Sequence, residues 1–183
     1  MSETRVANRY AKALIDFSVE QNNLEVILND MKFFLKTLKQ NHQIESMLKS
    51  PVIVGGDKIA ILKKIFDKDL HKDTIRFFEI VIRKNRGFYL NVIAKVFIEQ
   101  YNILNNIMQA TVKTAQAIDD KLKEEIKQFI EKYMGKKVEL KSIVDPKLIG
   151  GLMIQMDDKL FDASISGKLN KLKQDLLNTY ISK

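Results

Sequence analysis

The chain has 183 residues, a formal net charge of +8 and no cysteine, and 45% of its residues are hydrophobic. This length and apolar content suit one large domain or two small ones, and they exclude a wholly disordered chain. The lack of cysteine excludes disulfides, thiolate metal sites and cysteine nucleophiles. The two histidines stand far apart, which excludes a histidine-rich metal site.

No segment has the run of about 18 apolar residues that a membrane-spanning helix needs. The longest apolar segment, Leu148–Ile154, is interrupted by two glycines. The first twenty residues carry acids and no continuous apolar run, so they match neither a secretory signal nor a transit peptide. We therefore expect the chain to act in the cytoplasm.

Up to about residue 105, apolar residues recur at the spacing of amphipathic helices. Thr4, Asp57 and Asp73 are the predicted N-caps of three of these helices. The pattern predicts an N-terminal bundle of six helices over residues 1–105. The predicted helices lie around residues 5–17, 23–40, 42–49, 58–66, 73–85 and 88–106.

After Met108 the pattern changes to short β-branched segments, which predicts a small α+β domain over residues 106–183. A helix is expected from Asp119 or Asp120 to Gly135, with Leu122, Ile126, Phe129, Ile130 and Tyr133 facing inward. A last helix from Ser164 aligns Ile165, Leu169, Leu172, Leu176 and Tyr180. Strands are expected at Ala110–Ala115, Val138–Ile143, Leu152–Met156 and Lys159–Asp162, with Asp157-Asp158 as a turn. The fold class is therefore mainly α.

No catalytic motif is present. The glycine pairs at Gly55 and Gly150 lack the spacing of a phosphate-binding loop, and Glu124-Glu125 lies early in a helix, where carboxylates favour the dipole. The lysines of residues 121–137 alternate with glutamates, which is typical of a solvated helix face rather than a nucleic-acid surface. We expect neither enzymatic activity nor a cofactor.

Two apolar surfaces are more informative. In the first helix, small Ala7 and Ala11 lie beside Tyr10 and Leu14, which predicts a shallow apolar groove. The segment Ile75–Ile82 is apolar nearly all the way round. Periodicity leaves two interpretations open: both surfaces are simply buried in the core, or part of them binds a partner.

Four motifs, in chain order, carry a resemblance to a known family. They are RVANRYAKAL at Arg5–Leu14, Ser50-Pro51 followed by KIAIL at Lys58–Leu62, NRG at Asn85–Gly87, and a long segment at Val144–Leu172 that contains DPKLIGG and Asp162-Ala163-Ser164. Together they resemble the F-type ATP synthase delta subunit and its mitochondrial counterpart, the oligomycin-sensitivity-conferring protein. Ala163 stands where the family usually has glycine.

The resemblance implies a stator subunit without chemistry of its own. It implies that the N-terminal bundle binds the N-terminal helix of an alpha subunit between its first and fifth helices, and that the C-terminal domain binds the b-subunit peripheral stalk. The chain would be a monomer in isolation, with one copy per complex, on the cytoplasmic face of the bacterial membrane and peripheral to it. The rival interpretation from the residues is a basic helical nucleic-acid-binding protein.

Residues are assigned to these roles as expectations. The alpha-subunit groove is assigned Ala7, Tyr10, Ala11, Leu14, Ile75, Phe78 and Ile82. The b-subunit contact is assigned Leu169, Leu172 and Leu176. A structural role is assigned to Asp145, Pro146, Gly150, Gly151, Asp162 and Ser164.

Overall fold

The structure is a computed structural model that describes residues 3–156 and 159–181. The chain forms two compact units, Met1–Leu104 and Asn105–Lys183. The described residues are mainly helical and include one four-stranded sheet, so the predicted mainly α class is confirmed. No described helix is long and apolar enough to cross a membrane.

The first unit is built from helices and one short 3-10 turn. Helix α6 packs against both α1 and α2, and α4 packs against α5. Phe34, Phe66 and Phe97 are among the largest side chains that are fully buried in it. The helices are α1 (Glu3–Glu20), α2 (Leu24–Gln40), α3 (His42–Lys49), α4 (Gly55–Phe66), α5 (Lys72–Arg83) and α6 (Leu90–Leu104), and the 3-10 turn spans Gly87–Tyr89.

Three helix starts differ from the sequence prediction. Thr4 lies inside α1, which begins at Glu3, and Asp57 lies in the first turn of α4, which begins at Gly55. Val54 is the N-cap of α4 and makes no side-chain cap bond, while its carbonyl accepts from the Asp57 and Lys58 N–H groups. Asp73 is likewise not a cap, because the His71 side chain accepts from the Asp73 N–H.

A buried carboxylate joins α2 to the start of α5. Asp30 is only 6% exposed, and its Oδ2 accepts hydrogen bonds from the His71 backbone N–H, at 2.8 Å, and from the Thr74 hydroxyl. Thr74 itself is fully buried. A buried polar group without a partner is costly, so this pairing fixes where α5 begins relative to α2.

The second unit is a mixed sheet with one helix packed on it. The strand order is β2-β1-β3-β4, with β1 and β2 parallel and the other two pairs antiparallel. The parallel pair requires a crossover, which α7 provides while packing on β2. The elements are β1 (Ile107–Thr114), α7 (Asp120–Met134), β2 (Lys137–Val144), β3 (Leu152–Met156), β4 (Lys159–Asp162) and α8 (Ile165–Ile181).

Both predicted ends of α7 are confirmed, but its inward face is narrower than predicted. The Asp119 side chain caps the first turn, and Gly135 takes the left-handed conformation with φ 66°. Of the five residues predicted to face inward, only Ile126 and Ile130 are buried. The predicted Asp157-Asp158 turn lies outside the described residues.

Candidate functional site

An open groove lies between α1 and α5 in the first unit. Its volume is about 460 Å³. Each helix contributes four residues at positions i, i+3, i+4 and i+7, which is one stripe of a helix over two turns. The lining residues, which define the α1/α5 groove, are Tyr10, Ala13, Leu14 and Phe17 from α1, and Asp73, Arg76, Phe77 and Ile80 from α5.

Two side-chain contacts show that α1 and α5 run antiparallel along the groove. At one end, Asn23, just beyond α1, donates to the carboxylate of Asp73 in the first turn of α5, at 2.8 Å. At the other end, the ring of Tyr10 meets that of Phe77 edge to face, with centroids 6.4 Å apart. Arg86, just beyond α5, contacts the same tyrosine.

The groove walls are mostly apolar and accessible. Phe17 is 40% exposed and Ile80 is 49% exposed, while Tyr10 and Phe77 are partly buried. Leu14 is almost fully buried and forms the floor. Large apolar side chains left open to water in one contiguous strip are typical of a binding surface.

Only two of the seven residues predicted for this groove line it, namely Tyr10 and Leu14. The other five are buried in the core of the first unit. Ala7 and Ala11 are 0% exposed, because α6 packs against α1. The α5 residues on the core side are Ile75, Phe78 and Ile82, at 9%, 3% and 2% exposed.

On α5 the sequence prediction names the core-facing residues rather than those that line the groove. Phe77 and Ile80 belong to a segment that is apolar nearly all the way round, and periodicity alone does not separate its buried stripe from its open one. The available signal was a second stripe, Asp73, Arg76, Phe77 and Ile80, which mixes two charged residues with two apolar ones. A core stripe of this helix carries no charge, so the mixed stripe is the one that meets water.

A second open apolar surface lies in the second unit, between α7 and the edge strand β4. Phe129 and Tyr133, predicted to face inward, are instead 63% and 73% exposed there. They lie beside Leu160 and Phe161 of β4, which are 62% and 54% exposed, whereas the buried side of α7 packs with Ile154 and Met156 of β3. The lining residues, which define the α7/β4 cleft of about 400 Å³, are Phe129, Ile130, Tyr133, Ile154, Met156, Lys159, Leu160 and Phe161.

Helix α8 presents further exposed apolar side chains. Ile165 is 45% exposed, and Leu169 and Leu172 are each 56% exposed. The side chain of Leu176 lies outside those that the structure describes. The assignment of these leucines to a b-subunit contact stays a prediction.

The segments around Asp145 and Asp162 bring β3 and the start of α8 together. Asp145 Oδ1 accepts from the Lys147 N–H at 3.0 Å in the turn that contains Pro146. The Gly150 carbonyl accepts from the Ile165 N–H at 3.0 Å, and the carbonyl of Leu152, next to Gly151, accepts from the Ala163 N–H at 2.9 Å.

Asp162 and Ser164 organise the first turn of α8. Asp162 Oδ1 accepts from the Ser164 N–H at 2.8 Å, and Ser164 Oγ accepts from the Gly167 N–H at 3.0 Å. Hydrogen bonds from the Ser164 side chain and then its backbone lower the pKa of the Asp162 carboxyl below its ordinary value. Ala163 does not need the left-handed conformation that a glycine would allow.

The charged groups of α7 pair with one another on the helix surface. Lys123 lies 3.0 Å from Asp120, and Lys127 lies 3.8 Å from Glu124. Among the described residues, no group of three or more histidines or acids is placed to hold a metal ion.

Comparison with known proteins agrees with the sequence resemblance. The model of the ATP synthase delta (OSCP) subunit family matches residues 6–176. The chain is 37% identical to the ATP synthase subunit delta of Christiangramia forsetii and 34% identical to that of Cytophaga hutchinsonii, with all of each chain covered in both cases.

The fold is also found in a solved assembly. A chain in the cryo-EM structure of the Toxoplasma gondii mitochondrial ATP synthase hexamer superposes with a TM-score of 0.68 at 15% identity, covering 93% of this chain and 97% of the other. At that identity the likeness shows the fold alone, whereas the family match and the full-length relatives carry the assignment. The chain belongs to the ATP synthase delta (OSCP) subunit family, as its four sequence motifs predicted.

Proposed function

We propose that the chain is the non-catalytic stator subunit of an F-type proton-translocating ATP synthase, where it links the alpha/beta catalytic head to the b-subunit peripheral stalk. The N-terminal unit acts as a six-helix bundle that binds the head, and the C-terminal α+β unit binds the stalk. The subunit is peripheral to the membrane, on the cytoplasmic face, and is held there through the complex. One copy per complex completes the link.

The α1/α5 groove is the observation that carries this proposal. Its two stripes each extend over eight residues, or about 10 Å of helix axis, which matches two turns of a bound helix. An amphipathic helix that lies between α1 and α5 with apolar residues at i, i+3 or i+4 and i+7 would bury them against Tyr10, Phe17, Phe77 and Ile80. The partner is therefore an amphipathic helix, which fits the N-terminal helix of an alpha subunit.

The α7/β4 cleft and α8 support the second half of the link. Four large apolar side chains of the cleft, Phe129, Tyr133, Leu160 and Phe161, are each more than half exposed. Lys159 adds a cation to the lining. A stalk helix with an apolar face and an acidic flank complements this surface.

The proposal for the groove is tested by titrating the full chain with a synthetic peptide of about the first 25 residues of the alpha subunit from the same genome, which is enough for several helical turns. Ile80→Asp places a charge in the groove, and Val26→Asp is its matched control. Both residues are β-branched and lie on helices, at 49% and 46% exposed, but Val26 is on α2 and does not line the groove.

Ile80→Asp is expected to weaken peptide binding at least tenfold, or about 1.4 kcal/mol, while Val26→Asp binds like wild type. Binding to wild type should persist at raised salt, because apolar burial is less salt-sensitive than phosphate contacts. Equal affinities for the two variants would place the site elsewhere. A steep loss of binding with salt would favour a charge-driven contact.

A further inference from the structure

We propose that Arg86 is a positioning residue of the α1/α5 groove: it holds the ring of Tyr10 in place as one wall of the groove before a partner helix binds. This inference rests on the proposed function, since it concerns how the groove is prepared for that helix. Arg86 is not among the residues that line the groove.

The guanidinium of Arg86 contacts Tyr10 in two ways. Its Nη1 donates a hydrogen bond to the Tyr10 hydroxyl at 3.0 Å, and its Cζ lies 5.5 Å from the centroid of the Tyr10 ring. Arginine suits this double contact because its planar group both donates hydrogen bonds and stacks on aromatic rings. The two residues are 76 positions apart, so the contact ties the end of α5 to α1.

The turn that follows α5 places Arg86 next to Tyr10. Asn85 takes the left-handed conformation with φ 55°, which asparagine tolerates better than most residues. The Asn85 N–H donates to the Ile82 carbonyl at 2.8 Å and the Arg86 N–H donates to the Val81 carbonyl at 3.0 Å. This arrangement ends the helix and reverses the chain, so the Arg86 side chain returns toward α1.

Tyr10 needs this support because only part of its surface is packed. The ring is partly buried, it touches Phe77 edge to face, and one side of it faces the open groove. An aromatic ring that can change rotamer must be immobilised when a ligand binds, which lowers affinity. Fixing the ring in the free protein removes that cost.

A double-mutant cycle on the full chain separates this role from direct contact between Arg86 and the ligand. The four proteins are wild type, Arg86→Met, Tyr10→Ala and the double variant, each titrated with the alpha-subunit peptide described above. Methionine keeps an unbranched apolar stem and removes the planar guanidinium together with its charge and donors. Arg83→Met is the matched control, since Arg83 is an exposed arginine at the same end of α5 that lies 3.6 Å from Glu79.

Arg86→Met is expected to weaken binding by about threefold to tenfold, and Arg83→Met by less than about twofold. In the Tyr10→Ala background, Arg86→Met should have almost no further effect, because the ring through which it acts is gone. Equal losses from Arg86→Met in both backgrounds would mean that Arg86 contacts the peptide itself and would overturn the proposal. Wild-type affinity in Arg86→Met would also overturn it.

A second readout reports the ring directly. In chain with ¹³C-labelled tyrosine rings, the Tyr10 signal, assigned by its loss in Tyr10→Ala, should show increased ring mobility in Arg86→Met without peptide. Tyr10→Phe removes only the hydroxyl that accepts from Arg86; in chain with ¹³C-labelled phenylalanine rings it adds one ring signal, which should show more mobility than the Tyr10 ring of wild type, and this keeps the test valid if Arg86→Met folds poorly. Unchanged ring mobility in these variants would refute the inference.

The outcome for wild type separates the two proposals. If wild-type chain does not bind the peptide, the proposed function of the groove fails and the role of Arg86 fails with it. If wild type binds and the cycle is additive, only the role of Arg86 fails.

Discussion

Replacing Gly151 by alanine should destabilise the second unit far more than the same change at its neighbour Gly150. Gly151 has φ 79°, in the left-handed region that residues with a Cβ rarely adopt. A Cβ there would come within 2.5 Å of the Ala163 carbonyl oxygen and 3.0 Å of Ser164 Cα. Both are backbone atoms, so the start of β3 and the segment before α8 must move apart.

The magnitude follows from these two terms. The left-handed conformation costs about 1–2 kcal/mol for a residue other than glycine, and overpacking against backbone costs about 1–3 kcal/mol. We therefore expect Gly151→Ala to lower the free energy of unfolding of the second unit by about 2–5 kcal/mol. Gly150→Ala should cost less than about 1 kcal/mol, because its Cβ would meet only the Ile165 side chain, with Cδ1 at 2.8 Å and Cγ1 at 3.6 Å, and that side chain is exposed enough to rotate away.

Hydrogen exchange by mass spectrometry can measure both variants within one chain. A loss of about 2–5 kcal/mol should speed exchange of the protected β1 and β3 amides by about 30-fold to 5000-fold in Gly151→Ala. Peptides from α6, in the first unit, serve as the internal reference and should be unchanged. Similar acceleration in Gly150→Ala and Gly151→Ala, or equal acceleration in α6, would refute the reasoning.

Three further predictions concern other parts of the chain. Asp30→Ala should destabilise the first unit by about 2–4 kcal/mol in urea unfolding, since it leaves the buried Thr74 hydroxyl and the His71 N–H without their acceptor, whereas Asp30→Asn should cost less because it keeps one acceptor oxygen. The hydrogen bonds that lower the pKa of Asp162 stabilise the fold while its carboxyl is ionised, so this stabilisation is present above the ordinary pKa of 3.8 and is lost as the pH falls through the lowered pKa. Asp162→Asn should therefore reduce the increase in hydrogen exchange of the α8 amides at acid pH. An unchanged dependence of that exchange on pH would contradict the prediction. Phe129→Asp should weaken capture of the b subunit at least tenfold while leaving the alpha peptide affinity unchanged, and equal capture by both proteins would exclude the α7/β4 cleft.

Sequence periodicity identified the elements well but not the neighbours that cover them. Ala7 and Ala11 illustrate the difference. Small side chains beside Tyr10 are compatible with a shallow groove or with close approach of another helix, and the second holds because α6 packs against α1. The helix that buries Ala7 and Ala11 lies almost 90 residues further along the chain. The amphipathic pattern of α1 alone carries no information about that contact.

The same limit explains Phe129 and Tyr133. Apolar residues at 126, 129, 130 and 133 fall on one broad helical face, and a helix lying centrally over a wide sheet would bury all of them. Helix α7 instead covers the side chains of β1, β2 and β3 and leaves the edge strand β4 open, where Leu160 and Phe161 are more than half exposed. The strand order decides which part of the face is covered, and strand order is set by long-range pairing. The family motifs, by contrast, were visible in the sequence because they are local.

The apolar side chains are divided between buried cores and exposed surfaces, and this division determines how the protein can bind its partners. Each unit has a closed core, and the exposed side chains of the α1/α5 groove and the α7/β4 cleft add nothing to it. Apolar burial of roughly 800 Å² at about 25 cal/mol per Å² offers on the order of 20 kcal/mol before the costs of association, which reduce it strongly. Burial of this kind acts mainly on the dissociation rate, whereas exposed charges act mainly on the association rate.

A stator must resist torque for many turnovers, so slow dissociation matters more than fast binding. A preorganised apolar groove meets that need, and for this reason we expect binding of the alpha helix to depend on the shape of the walls formed by Tyr10, Phe77 and Ile80 more than on the net charge of +8.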